Sequence, residues 1–209
     1  MSTTVRLVWV TPDAERQIAF CARVSNLKTQ DRRAYKGLLR YCIREGHWSP
    51  FEMACMCLEI QTTRAISAQI LRHRSFHFQE FSQRYAAVPR VEPVAARRQD
   101  TKNRQNSHND LPGDTKAWWS AELKQLEEAT LKVYSEALER GVAKECARFV
   151  LPMRSYTKLY MQGTVRDWIH YINLRCGNGT QKEHQDVALQ AKLIFQEQFP
   201  TVAEACGLQ

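Results

Sequence analysis

The sequence predicts an α+β fold: a single helix-rich domain around a small antiparallel or mixed sheet. Three observations lead there. Short stretches with strand-like alternation, "TTVRLVWV", "ACMCLEI" and "YTKLYMQ", are widely separated along the chain. The segments between them repeat apolar residues at helical spacing. No repeat and no linker divides the 209 residues, enough for one core and few for two. One domain over residues 1–209 is expected.

"TTVRLVWV" opens the chain as a strand. Thr11-Pro12-Asp13 then starts a helix, with Thr11 as N-cap and Pro12 in the first turn; Ile18, Cys21, Ala22 and Val24 follow on it. A second helix from about Asp31 places Ala34, Leu38, Tyr41 and Cys42 on one face and stops at Gly46. "SPFE" at Ser49–Glu52 reads as a capping box with Pro at the first helical position. "ACMCLEI" is a strand, Thr62 or Thr63 caps a helix running to about Arg72, and "SFHFQ" is extended.

Residues 89–114 are polar and nearly free of large apolar side chains, so a long loop is expected there. A helix from about Ala117 to Arg140 carries Leu126, Val133 and Ala137 and ends at Gly141. A shorter one covers Val142 to about Leu151 and stops at Pro152. "YTKLYMQ" is the next strand. Thr164-x-x-Asp167 and Thr180-x-x-Glu183 start two more helices, the last ending before Pro200.

Composition narrows the classes. Hydrophobic content of 44% and charged content of 25% are those of a globular protein. No run reaches the ~18 apolar residues of a membrane span, and "MSTTVRLVWV" lacks a signal peptide's apolar stretch. Seven cysteines without a CxxC pair predict a reduced, cytoplasmic protein with neither a disulfide framework nor a metal site. The net charge of +8 invites an anionic partner, and 20 of the 30 basic residues are arginines. Arginine's planar fork suits bidentate contacts to phosphate or carboxylate. A solvated basic surface is the plainer alternative.

Several arginines stand where core residues belong. On the helix after Thr164, Trp168, Ile172 and Arg175 fall on one stripe, with Arg175 in the last turn where the macrodipole favours a cation. It either snorkels off a core edge or awaits an anion that the chain does not supply. In "RHRSFHFQEFSQRY", Gln69, Arg72 and His73 lie at i, i+3, i+4 opposite Ile66 and Ile70, and Arg74 follows closely. Like charges this near repel unless an anion lies between them. Arg148 in "KECARFVLP" precedes an apolar end in the same way.

Other residues read two ways. His47 fills a turn or helps an anion at a helix N-terminus; His77 points outward from a half-buried strand. Glu80 is a salt-bridge partner of Arg84 or Arg74, or an acceptor for a ligand. Ser82 has no Asp/His relay and no G-x-S-x-G, so it reads as a ligand contact rather than a nucleophile.

The spacing Arg72-His73-Arg74, seven residues, then Ser82 continuing as "SQRY" resembles the signature of the flavin-dependent thymidylate synthases. "YCIREGHWSPFE", "AISAQILRHR", "KECARFVLP" and "RDWIHYINLR" are similar to further family blocks in the family's order, so the resemblance spans nearly the whole chain. It implies conversion of dUMP to dTMP with methylenetetrahydrofolate as carbon donor, bound FAD as hydride relay and NADPH as reductant. It also implies a homotetramer with active sites shared between subunits, and no nucleic acid or membrane partner. Carried over by position, FAD would be held by His47, Ser49, Arg72, His73, Arg74, Glu80, Thr164, Val165, Arg166 and His170. The dUMP site would comprise Gln69, Arg72, Glu80, Phe81, Ser82, Gln83, Arg84, Arg148 and Arg175. Arg175 would be the catalytic group, stabilising negative charge on the uracil so that C5 attacks. The chain departs from the family at His77 and Gln79, where Ser and Asn are usual, and at Thr164 and His170, where Asn is frequent. His170 points away from the Trp168 face, which suits a subunit interface.

Three rivals remain at this level. A nucleic-acid binder accounts for the charge and for Arg97, Arg98 and Arg104, but not for Arg175 on an apolar face. A methyltransferase with a cysteine nucleophile meets the difficulty that Cys55, Cys57 and Cys146 all read as core cysteines. A scaffold that binds FAD without catalysis is the third.

Overall fold

The computed structural model describes residues 3–209; the first two residues of the expected domain lie outside the described residues. The strands are β1 (Thr4–Val10), β2 (Cys55–Thr63), β3 (His77–Glu80), a short ribbon of β4 (Arg98–Gln99) and β5 (Ser107–His108), and β6 (Tyr156–Thr164). The helices are α1 (Ala14–Ala22), α2 (Lys36–Arg44), α3 (Arg64–Ile70), α4 (Gly113–Glu139), α5 (Lys144–Ala147), α6 (Val165–Arg175), α7 (Lys182–Gln198) and α8 (Pro200–Ala205), with 3₁₀ turns at Ser49–Glu52 and Arg148–Val150. The fold is α+β, and its main sheet, in the order β1-β2-β6-β3, is antiparallel throughout.

One face of this sheet is the core wall. Met56, Leu58 and Ile60 of β2 stand beside Leu159 and Met161 of β6, all fully buried. Trp168, Tyr171 and Ile172 of α6 and Val187, Ala191 and Phe195 of α7 close over them. Trp168 also donates its indole N–H to the Met56 carbonyl at 3.0 Å. The opposite face carries Glu59, which accepts from Arg6 and from the Tyr160 hydroxyl. Alternation with period two thus sorts β2 into an apolar side and a paired polar side.

At Gly163 the sheet meets an aromatic ring. A Cβ there would lie 2.6 Å from two atoms of the Phe76 ring, so only glycine admits it. Phe76 in turn packs edge-on to Trp168 and Tyr171, with centroids 4.9 and 5.9 Å away. The phenylalanine of "RHRSFHF" is therefore a peg that fixes the turn after α3 to the core.

Several local expectations give way to tertiary bonds. Thr11 does not cap α1; its hydroxyl accepts from the Cys55 N–H at 2.9 Å, and Asp13 in a left-handed conformation precedes the helix. The second helix starts at Lys36, and α3 ends at Ile70, before Arg72. Ser49–Glu52 is a 3₁₀ turn without a side-chain cap, because Glu52 pairs with Arg166. The Thr164–Asp167 capping box forms as expected. Thr180 caps nothing, since the Glu183 carboxylate is taken by Arg97 and Gln181. The expected helix from Val142 to Leu151 is cut to α5 and a 3₁₀ turn, and α8 was not foreseen because Pro200 begins a helix there.

The segment 89–114 is mostly irregular, as expected of a loop, but it is tied to the rest of the chain. Val91 bridges to Ser155, the Glu92 N–H donates to the Arg154 carbonyl, and β4 pairs with β5. Arg154, itself buried, ties Glu92 to Leu123 and Glu127 of α4. Hydrogen bonds and ion pairs, with the buried Val91, tie this stretch down. In α4, only Tyr134 is buried, and Leu126 and Val133, expected on this helix, are exposed. No helix among the described residues is long and apolar enough to cross a membrane.

Candidate active site

Three helix ends converge beside the peg of Phe76: the end of α3, the end of α6 and the start of α7. Between them opens a cleft of about 680 Å³ lined by Gln69, Arg72, His73, Gln105, Leu174, Arg175, Gly179, Thr180 and Gln181. No carboxylate lines it. Smaller hollows of about 460 and 290 Å³ continue under the β4–β5 ribbon, sharing Gln105 and Gln181.

Arg175 ends α6, where the partial negative charge of the helix terminus suits a cation. Its Nε donates to His73 Nε2 at 2.9 Å. An imidazole that accepts from a guanidinium is neutral on that nitrogen. Burial, then the charge of Arg175 and the proximity of His170, push the His73 pKa down to about 4. The His73 ring rests edge-on against Tyr171, 4.9 Å between centroids. The cleft's positive charge therefore belongs to Arg72 and Arg175. Neither has a carboxylate partner among the described residues, in contrast to the exposed pairs Arg40–Glu204 and Arg98–Asp110.

The expected nucleotide residues divide into two groups on one chain. Gln69, Arg72 and Arg175 share the cleft. Phe81, Ser82, Gln83, Arg84 and Arg148 gather elsewhere, around the turn after β3 and the end of α5. Phe81 packs on the small cluster of Val88, Tyr134 and Ala147, Arg84 pairs with Glu145 at 3.0 Å, and Arg148 lies over the Phe149 ring. Ser82 is exposed and Gln83 buried. Glu80 is bound within the chain: its Oε1 accepts from Ser67 at 2.6 Å and Thr157 at 2.8 Å and pairs with Arg64. Its ion pair is with Arg64, neither of the two arginines suggested by the sequence.

The expected flavin residues also divide. His73 and Arg72 lie at the cleft, with Arg74 exposed just beyond. His47, Ser49, Thr164, Val165 and Arg166 collect at the other end of α6, about 16 Å away at 1.5 Å per residue over its 11 residues. His47 is exposed against Tyr41, and Arg166 is held by Glu52. Val165 is fully buried and offers only backbone, and the Thr164 hydroxyl is engaged by Asp167. His170 is exposed midway along the helix.

The sequence reading missed Gln105, Gln181, Tyr171 and His184. His184 is fully buried, between Tyr171 and Gln69. Its buried place on α7 was legible, since Val187, Ala188 and Ala191 continue its face; its partners come from other elements and left no local signal.

Burial first, then Arg175 and His73, hold the His184 pKa down to about 3. Two histidines are thus neutral in the folded state and gain protons on unfolding. Folded values below the ordinary 6.5 mean that their stabilising effect is complete above about pH 6.5 and is lost as pH falls through the interval down to about 4 for His73 and about 3 for His184. The thermal midpoint should drop across that interval; a midpoint flat from pH 6.5 to 4.5 would contradict the neutral assignment. Below about pH 4.5, protonation of Glu59, held near 2 chiefly by its hydrogen bond from Arg6, adds to the loss.

The cysteine rival weakens on geometry. Cys57 is buried and Cys55 half-buried, and burial raises both thiol pKa values, the reverse of activation. Cys146, read as a core residue, is exposed, because α5 packs through Ala147 instead. Of the loop arginines, Arg97 pairs with Glu183 and Arg98 with Asp110, which leaves little of a basic stripe.

A family model described as "Thymidylate synthase complementing protein" (Thy1) matches residues 6–201. The chain belongs to the flavin-dependent thymidylate synthase family. The "Probable flavin-dependent thymidylate synthase" of Paramecium bursaria Chlorella virus 1 is 54% identical over 207 residues, covering 98% of this chain and 96% of its own. The "Flavin-dependent thymidylate synthase" of Synechocystis is 56% identical over 191 residues, covering 91% and 88%. Among solved structures, the "UMP/dUMP methylase PolB" from Streptomyces cacaoi bound with 5-Br dUMP superposes with a TM-score of 0.85 at 27% identity, covering 98% and 94%. Arg72, His73, Arg74 and Ser82 all lie within the matched residues, although on a single chain the two ends of this stretch face different places.

Proposed function

We propose that this protein is a flavin-dependent thymidylate synthase that methylates dUMP at C5 to give dTMP, with methylenetetrahydrofolate as carbon donor and NADPH as reductant. The observation that carries the reading is the cleft where Arg72 and Arg175 stand without a carboxylate partner. A guanidinium pair of this kind calls for an anion, and a nucleotide supplies one. The family, the relatives' names and the methylase neighbour support the choice of dUMP.

Uracil C5 is a weak nucleophile until negative charge spreads over the ring. Arg175, anchored by His73 and set at a half-buried helix end, would stabilise that charge beside N3 and the flanking carbonyls. Arginine does not give up its proton at ordinary pH, so its part is electrostatic and the proton leaves by another route. The neutral His73 orients the guanidinium by accepting from its Nε. The donor set fits FAD: cationic Arg72 and Arg74 suit its pyrophosphate, and His47, Ser49 and the backbone around Val165 offer contacts at the other end of α6. When bound, FAD supplies the relay of hydride from NADPH.

We also propose a homotetramer whose active sites draw on neighbouring subunits. The division of the nucleotide residues supports it, as does α4, which exposes Trp118, Leu126 and Val133 along 27 residues. The purified protein should be yellow, its visible spectrum should shift on adding dUMP, and tritium should be released from C5-labelled dUMP when folate donor and NADPH are present. A colourless protein that binds DNA or RNA with steep salt dependence would overturn the proposal, and a yellow one that releases no tritium would be a scaffold without catalysis.

A further inference from the structure

Along the wall of the cleft runs a chain of polar contacts from Glu183 to Tyr171. At one end, buried Glu183 is paired with Arg97 at 2.6 Å. Burial alone would raise its pKa, but the bonds from Arg97 and Gln181 outweigh that and keep it low, so Glu183 is a carboxylate and only accepts. Gln181 must then face it with its amide nitrogen, which donates to Glu183 Oε2 at 2.9 Å. That leaves the Gln181 oxygen to accept from Gln69 Nε2 at 2.6 Å. The Gln69 oxygen is left to accept in turn, and His184 Nδ1 lies 3.4 Å from it. His184 Nε2, the remaining ring nitrogen, lies 3.2 Å from the Tyr171 hydroxyl.

Each carboxamide has one donor end and one acceptor end, so the anion at Glu183 sets every orientation up the line. The proton of His184 sits on Nδ1, and Tyr171 donates to Nε2. Burial supports both assignments: it raises the Tyr171 pKa, leaving a hydroxyl able to donate, and keeps His184 a neutral imidazole with a single N–H. Gln69 has two amide hydrogens, one spent on Gln181. The other is available to the cleft that Gln69 lines.

We propose that His184 is a positioning residue which, with Tyr171 behind it, holds the Gln69 carboxamide at its oxygen while Gln181 holds it at its nitrogen, so that the second amide hydrogen is aimed at an acceptor on the bound nucleotide. An amide held at its nitrogen alone would swing about that bond, and its second hydrogen would lose its aim at a phosphate oxygen or a pyrimidine carbonyl. The inference rests on the dUMP reading above and adds to it a reason for a buried histidine on α7.

The test uses the FAD-loaded protein and two substitutions of nearly equal shape. In His184→Asn the amide nitrogen takes the place of Nδ1 and still donates; in His184→Leu nothing does. Affinity for dUMP, titrated through the flavin spectrum, should fall about tenfold in the Leu variant, as for the loss of one buried hydrogen bond. The Asn variant should stay within about twofold of the parent. Affinities that are equal in the two variants, whether both weak or both intact, would overturn the proposal. Deoxyuridine, which lacks the phosphate, tells which acceptor Gln69 meets: an equal loss places it on the ring, and a loss confined to dUMP places it on the phosphate. Should neither variant fold, long-range ¹H–¹⁵N NMR of histidine-labelled parent protein decides: a proton on Nδ1 is expected, and a proton on Nε2 overturns the chain. A parent protein with no affinity for dUMP would overturn the proposed function instead, and the tautomer would still judge the chain.

Discussion

Arg175→Ala is expected to lower turnover by roughly 10²–10³-fold, the cost of removing one preorganised charge from a developing anion. FAD should stay bound, because Arg72 and Arg74 and the residues at the far end of α6 remain. The readout is tritium release from C5-labelled dUMP, alongside the flavin content of the purified variant. The size of the effect follows from place: Arg175 is half-buried, without a carboxylate partner, and steered by His73 at 2.9 Å. A colourless variant would move Arg175 from the pyrimidine to the flavin, and one with near-parent turnover would remove it from the chemistry altogether.

Mixing subunits gives an effect as large in the opposite direction. In the proposed tetramer, Arg148→Ala and Arg175→Ala chains should each be severely impaired alone, and regain activity once unfolded together and reassembled. The reason is geometric. On one chain Arg175 lines the cleft while Arg148 sits by Phe149 and outside its lining, so the proposed dUMP site takes its two arginines from different copies. Some sites of a mixed tetramer then receive both intact residues. Mixed assemblies as inactive as their parents would show that each site takes both arginines from one chain.

Much of the fold could be read from the chain because its elements are locally consistent. The strands at Thr4–Val10, Cys55–Thr63 and Tyr156–Thr164 follow from alternation, and α6 from the Thr164–Asp167 box and the stripe ending in Arg175. The errors arose where a polar side chain found a distant partner. Thr11 bonds Cys55 instead of capping, and Glu183 takes Arg97 instead of Thr180. The stretch from 89 to 114 is irregular, as its composition predicts, and its ties by ion pair leave no periodic trace. For the site, motif spacing named Gln69, Arg72, His73 and Arg175, which the structure brings together. It could not name His184 or Gln181, whose roles exist only once α3, α6 and α7 meet. Nor does periodicity tell a buried apolar face from an exposed one, as Leu126 and Val133 on α4 show.

The bare backbone at Gly163 has a mechanical consequence. The Phe76 ring rests there, wedged between Trp168 and Tyr171, and the same loop carries His73, which steers the guanidinium of Arg175. The thickness of one methyl group on the sheet would lift the ring, tilt the imidazole and let the guanidinium swing. The aim of the charge toward its target is thus set by an absence, the side chain that residue 163 does not have.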